Sequence, residues 1–116
     1  MAITIYHNPR CSKSRKTLEL INAAGVEPEI VLYLQDTPTA SDILALARKL
    51  ETTVAGLLRR GESEFKDATD LPDLADDTAL AAWLAEHPIV LERPIVVDGD
   101  RAVVGRPPEN VAELLG

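Results

Sequence analysis

Two rhythms of hydrophobic and polar positions alternate along the first third of the chain. Ile3-Thr4-Ile5-Tyr6 repeats with period two and predicts a strand; Thr17-Leu18-Glu19-Leu20-Ile21-Asn22-Ala23-Ala24 is spaced like a helix. That helix is expected from about Cys11 to Ala24, with Gly25 as the left-handed stop just past its end. Pro28 leads into Ile30-Val31-Leu32-Tyr33-Leu34, a nearly continuous apolar run that reads as a strand buried on both faces, as in a parallel sheet. Strand, helix and strand together make a βαβ unit.

The middle of the chain is helical in pattern. Thr39-Ala40-Ser41-Asp42 resembles a capping box with Asp in place of Glu, and Ile43, Leu44, Leu46, Ala47 and Leu50 follow it at helical spacing. Thr53 is placed to cap a short helix from Val54 to about Arg60, stopped by Gly61, and a further turn is expected between Glu62 and Thr69. Asp76 or Asp77 caps another helix, in which Leu80, Trp83, Leu84 and His87 recur along one face before Pro88. Trp83 is expected to pack rather than bind, and His87 to be structural. In the last third, Pro94-Ile95-Val96-Val97 and Arg101-Ala102-Val103-Val104 flank Asp98-Gly99-Asp100, a β-hairpin signal. Pro107-Pro108 then open a closing helix to about Leu115. The expected architecture is α/β: a mixed four-stranded sheet with flanking helices, and a helical insertion between the second and third strands, at about residues 39–87.

Composition narrows the class. At 116 residues the chain is expected to be a single domain, since smaller pieces would bury too little core. An apolar fraction of 46% with 27% charged residues is ordinary for a soluble protein. No run approaches the ~20 apolar residues that span a bilayer, and no signal-peptide pattern opens the chain. The net charge of −7 argues against nucleic acid as a partner. A lone cysteine and two histidines do not make a structural zinc site, so no bound metal is expected. One cysteine cannot form an internal disulfide, and a free thiol suits a reducing compartment, here the cytoplasm. A monomer is the default for so small and acidic a chain.

The charge is unevenly spread. From His7 to Lys16 there are four cations (Arg10, Lys13, Arg15 and Lys16) and no acid, and Cys11 lies among them where a strand is expected to turn into a helix. Unpaired N–H groups and the helix dipole at such a start favour a thiolate and an oxyanion. The plain alternative is a cysteine that serves as a small buried hydrophobe. Arg59, Arg93 and Arg106 stand at element ends, the last two directly before Pro94 and Pro107. The planar fork of arginine suits tetrahedral oxyanions, although surface arginines are mostly solvated. His7 either hydrogen-bonds the Cys11 thiolate or caps the loop, and Ser14 either donates its hydroxyl to that thiolate or is only a first-turn residue. A tyrosine-phosphatase-type loop would require arginine where Thr17 stands, and a dithiol motif would require cysteine where Ser14 stands. A one-cysteine enzyme therefore needs an external thiol to resolve its adduct.

Tyr6-His7-Asn8-Pro9-x-Cys11-x-x-Ser14-Arg15-x-Thr17-Leu18 resembles the signature of the glutaredoxin-linked arsenate reductase family, within the thioredoxin-like superfamily. The likeness continues through Glu27-Pro28, Leu32-Tyr33-Leu34, Leu57-Leu58-Arg59, His87-Pro88, Arg93-Pro94-Ile95-Val96-Val97 and Gly105-Arg106-Pro107, and the chain ends as the family's shorter members do. The resemblance implies a thioredoxin-like fold in which Cys11 attacks arsenate and Arg59, Arg93 and Arg106 hold the oxyanion. It implies that His7 and Ser14 help keep the thiol ionised, that the Arg93–Pro94 bond is cis, and that glutathione as co-substrate and glutaredoxin as partner complete the reduction to arsenite with no bound cofactor. Two other readings stay open. One is a redox or stress regulator that binds a protein partner, which in this superfamily uses a Cys-x-x-Cys pair that Ser14 removes. The other is glutathione-dependent thiol transfer to another substrate.

Overall fold

The computed structural model of the protein describes residues 3–115. They divide into two compact units, residues 3–36 with 93–115 and residues 37–92.

The first unit is built on a four-stranded sheet of order β2-β1-β3-β4. Strand β1 (Ile3–Tyr6) turns its alternating Ile3 and Ile5 inward, as its period-two pattern requires. Helix α1 (Ser12–Ala23) follows and ends at Gly25, whose φ of 81° supplies the left-handed stop. Strand β2 (Glu29–Val31) pairs parallel to β1, completing the expected βαβ unit. β2 departs from expectation in another respect. It has three residues rather than five, and it lies at the sheet edge with Ile30 47% exposed, so it is not a strand buried on both faces. After Val31 the chain leaves the ladder for a turn in which the Gln35 and Asp36 N–H groups donate to the Leu32 carbonyl at 2.9 and 2.8 Å. Apolar continuity reports β propensity; the position of a strand in its sheet is set by which neighbours pair with it.

Strands β3 (Ile95–Asp98) and β4 (Arg101–Val104) form the expected antiparallel hairpin, with β3 also antiparallel to β1. Asp98 pairs with Arg101 across a two-residue loop, and Gly99 takes φ 59° at its first position, as a type II′ turn favours. The closing segment is less regular than expected: Pro108–Val111 is a 3₁₀ turn, and only Ala112–Leu115 is α-helical. Ile3, Ile5, Ile21, Val96, Val111 and Leu114 form one buried cluster between sheet, α1 and the closing segment.

The second unit is the helical insertion. Helix α2 (Ala40–Lys49) begins at a formed capping box, in which the Asp42 N–H donates to Thr39 Oγ1 and the Thr39 N–H to the Asp42 carboxylate. Thr53 caps a 3₁₀ turn at Val54–Leu57, shorter than the helix expected to Arg60. Leu58 instead becomes extended and bridges Leu91: the Arg59 N–H donates to the Val90 carbonyl and the Glu92 N–H to the Leu57 carbonyl, each at 2.7 Å. α3 covers Ser63–Lys66 alone, and α4 (Asp77–Glu86) is capped by the Asp76 carboxylate at the Ala79 N–H. Ile43, Leu46, Val54, Leu57, Leu80 and Leu84 are buried on the facing sides of α2, α4 and the 3₁₀ turn. Trp83 packs as expected: it is buried, stacks on His87 at 4.2 Å and donates its indole N–H to Asp70.

Candidate active site

The strand-to-helix turn is locked from within. The Cys11 N–H donates to the Asn8 carbonyl at 3.0 Å, the Arg10 N–H to Asn8 Oδ1 at 3.0 Å, and the Arg15 guanidinium to the Pro9 carbonyl at 2.9 Å. These bonds set Cys11 at the N-cap of α1 in extended backbone, φ −92° and ψ 121°. No side-chain hydrogen bond of ordinary geometry closes that cap. The first-turn N–H groups are therefore left for whatever negative charge stands at position 11.

The thiol is partly exposed. Burial pushes its pKa up, but the Ser14 and Lys13 backbone N–H groups and then the Arg93 guanidinium outweigh this and hold it below the ordinary cysteine value. Arg93 is buried, 9% exposed, and its guanidinium favours the thiolate both as a donor and by its charge. Arg106 is exposed at the surface and aims Nη1 at the sulfur from 3.9 Å.

The hairpin explains why these two arginines arrive together. Ile95 pairs with Val104, and the Gly105 N–H donates to the Pro94 carbonyl at 2.9 Å, extending the ladder one step. The next residues outward are Arg93 and Arg106. Both Arg93–Pro94 and Arg106–Pro107 are cis; the first was implied by the family resemblance, the second was not foreseen.

His7 and Ser14 take roles different from direct contact with the sulfur. His7 Nδ1 lies 2.6 Å from Ser14 Oγ, and Ser14 Oγ also accepts the Asn8 N–H at 3.1 Å. Both residues are buried. Ser14 thus spends its hydroxyl on the loop and offers the sulfur its backbone N–H. Burial lowers the His7 pKa and the Arg15 charge lowers it further, which keeps the imidazole neutral. Of the two openings left for His7, the geometry is that of a loop-holding group.

Arg59 belongs to the second unit. Its Nη1 donates to Glu92 Oε1 at 3.2 Å and its Nε lies 3.5 Å from Glu62 Oε1, all three side chains about one quarter exposed. Those carboxylates were not singled out from sequence, and Asn8 was given no role there beyond its place in the loop motif. His87 stacks on Trp83 and meets Glu64 at 3.0 Å, the structural role expected of it. Among the described residues no group of three or more His, Cys, Asp or Glu is arranged to hold a metal ion, and no helix is long and apolar enough to cross a membrane.

A mixed four-stranded sheet with flanking helices, and one cysteine at the start of its first helix faced by arginines at the open end of a hairpin, is a thioredoxin-like arrangement. Comparison with known proteins takes this one step further. The model of the ArsC family matches residues 6–114, and the chain belongs to that family. An arsenate reductase of Haemophilus influenzae is 40% identical over 116 residues, covering 99% of this chain and 100% of the relative. An arsenate reductase of Neisseria meningitidis serogroup A is 43% identical over 115 residues, covering 97% of each. Among solved structures, an arsenate reductase from Vibrio cholerae superimposes with a TM-score of 0.87 at 41% identity, covering 97% of both chains.

Proposed function

We propose that this protein reduces arsenate to arsenite, with Cys11 as nucleophile and glutathione and glutaredoxin as the source of electrons. The observation that carries the reading is the Cys11 thiol at an uncapped helix start, held below its ordinary pKa with Arg93 and Arg106 beside it. A thiolate is the nucleophilic form, and the same donors suit the oxygens of a tetrahedral anion. The Cys11 sulfur displaces one arsenate hydroxyl, which leaves as water on taking a proton. A first external thiol then displaces a second hydroxyl as water and bonds to arsenic. A second thiol takes up that sulfur as a disulfide and leaves the bond's electron pair on arsenic. Water cleaves the remaining Cys11–arsenic bond, so that arsenate and two thiols give arsenite, one disulfide and water, with the Cys11 thiol restored. The donors are external because the chain has a single cysteine.

In this reading Arg93 and Arg106 bind the oxyanion, and Arg59 is added on its match to the family pattern. His7 and Ser14 act by holding the loop that presents the sulfur. The chain works as one functional domain, as a monomer, in a reducing compartment such as the cytoplasm, where Cys11 stays free. The test is arsenate-dependent NADPH oxidation with glutathione, glutaredoxin and glutathione reductase, comparing wild type with Cys11→Ser. Turnover in the wild type alone is expected; equal turnover in the mutant, or none in either with glutaredoxin shown competent, rejects the assignment.

A further inference from the structure

Gly105 stands one residue before Arg106, and the chain there runs close against α1. A Cβ built on Gly105 would lie 2.5 Å from Thr17 Oγ1, 3.0 Å from Thr17 Cγ2 and 2.8 Å from Pro94 Cγ. None of these neighbours yields easily. Thr17 is fully buried and β-branched, its hydroxyl donates to the Lys13 carbonyl at 2.8 Å, and the proline ring is rigid. The Gly105 φ is not in the left-handed region, so what this position requires is close approach rather than unusual backbone.

Four further contacts hold the same joint. Thr17 Oγ1 faces the Gly105 carbonyl at 3.4 Å, a weaker second contact of the same hydroxyl. The Gly105 N–H is bonded to the Pro94 carbonyl. On the far side, Asn110 Nδ2 donates to the Val104 and Arg106 carbonyls at 3.1 and 3.3 Å. Thr17 lies in the same helix as the cap at Cys11, Pro94 follows Arg93, and Gly105 precedes Arg106. The joint thus ties together the three backbone segments that carry the thiol and its two arginines.

We propose that Gly105 and Thr17 are positioning residues: their close contact seats the end of the hairpin on α1 and so sets the distance from the Arg106 guanidinium to the Cys11 sulfur. Neither touches the reacting atoms. The inference rests on the reading of Cys11 as the reactive thiol and specifies what places its partner. Adding one methyl at position 105 pushes the hairpin end outward, Arg106 with it, and weakens the attraction that favours the thiolate.

The test reads the thiol directly, as the pH midpoint of Cys11 alkylation by iodoacetamide, with no arsenate present. Failure here is therefore separate from failure of the reductase assignment, which arsenate turnover of the wild type decides. Gly105→Ala is expected to raise the midpoint by roughly 0.5 pH unit, below the ~1 unit that losing an adjacent opposite charge outright supplies at its low end. Thr17→Ala removes atoms without adding any and is the variant to read if Gly105→Ala fails to fold; it is expected to raise the midpoint by less, and Thr17→Ser to restore it. In an Arg106→Gln background both increments should shrink towards nothing. A folded Gly105→Ala with the wild-type midpoint overturns the proposal, as does a wild-type midpoint in Thr17→Ala when that variant is read in its place. An increment of undiminished size without Arg106 overturns it as well.

Discussion

Helix α1 of the sheet-bearing unit and helices α2 and α4 of the insertion are of similar length, 12 residues against 10 and 10. They begin differently. Thr39 and Asp76 close the starts of α2 and α4 with side-chain oxygens on backbone N–H groups, whereas no side-chain oxygen closes the start of α1, where the Cys11 sulfur stands. Charge divides in the same direction. Residues 37–92 carry five basic and eleven acidic residues, while the rest of the chain carries seven and eight. Within that nearly balanced remainder, the stretch from His7 to Lys16 has four cations and no acid. A side-chain oxygen at a helix start spends the orphan N–H groups on stability; leaving a sulfur there keeps them for a charge that is wanted in a reaction. The helix starts of the insertion are closed by side chains, and the first turn of α1 suits the reactivity proposed for Cys11.

Four substitutions or conditions put that contrast under strain. The largest effect is expected from Arg106→Gln, which removes one of the cations facing the sulfur. Turnover of arsenate per unit enzyme, as kcat/KM, should fall about 100-fold, or about 2.7 kcal/mol of transition-state stabilisation. A loss below threefold would show that Arg106 is a bystander. Next is Thr39→Ala in the insertion: loss of the cap should cost about 1 kcal/mol of stability in a urea titration. The Thr39→Ala midpoint of Cys11 alkylation should stay where it is in wild type, and a shift would mean that the two kinds of helix start are not independent.

Cys11→Ser is expected to work in the opposite sense. Serine is a good N-cap where cysteine is a poor one, so a variant without turnover should be more stable by roughly 0.5 kcal/mol. A less stable variant would imply that the thiolate already serves as an effective cap. The smallest effect is expected in mild acid. His7 is buried and its pKa is lowered from 6.5, so the unfolded chain takes up a proton more readily than the folded one. Its contribution is complete above about pH 6.5 and is lost as the pH falls below that value. Stability should therefore decline from pH 7 towards 5 by less in His7→Gln than in wild type, read by thermal melts; parallel declines would exclude His7 as a source.

Much of this contrast is legible in the chain itself. The capping box at Thr39, the cap at Asp76, the glycine stop at Gly25 and the hairpin at Asp98-Gly99-Asp100 are local devices, each completed within a few residues, and each forms as its pattern predicts. Cys11 at a helix start with cations around it belongs to the same group. What the pattern misplaces depends on partners far along the chain. β2 reads as a doubly covered strand and is an edge because β3 takes the other side of β1. The helix expected to reach Arg60 stops at Leu57 because residues 57–59 find hydrogen-bond partners at residues 90–92.

The sequence by itself determined the order of elements, the helix caps and the single cysteine at a helix start, since these rest on near neighbours whose geometry a few residues dictate. Only the tertiary structure decided which groups face the sulfur. Arg93 and Arg106 reach Cys11 because hairpin register sets them opposite one another and because Gly105, 88 residues from Thr17, has no side chain to hold the two segments apart. His7 and Ser14, four residues before and three after Cys11, meet each other at 2.6 Å, which the chain order alone left open. Proximity in sequence limits what can meet; packing selects which of the possible meetings occur.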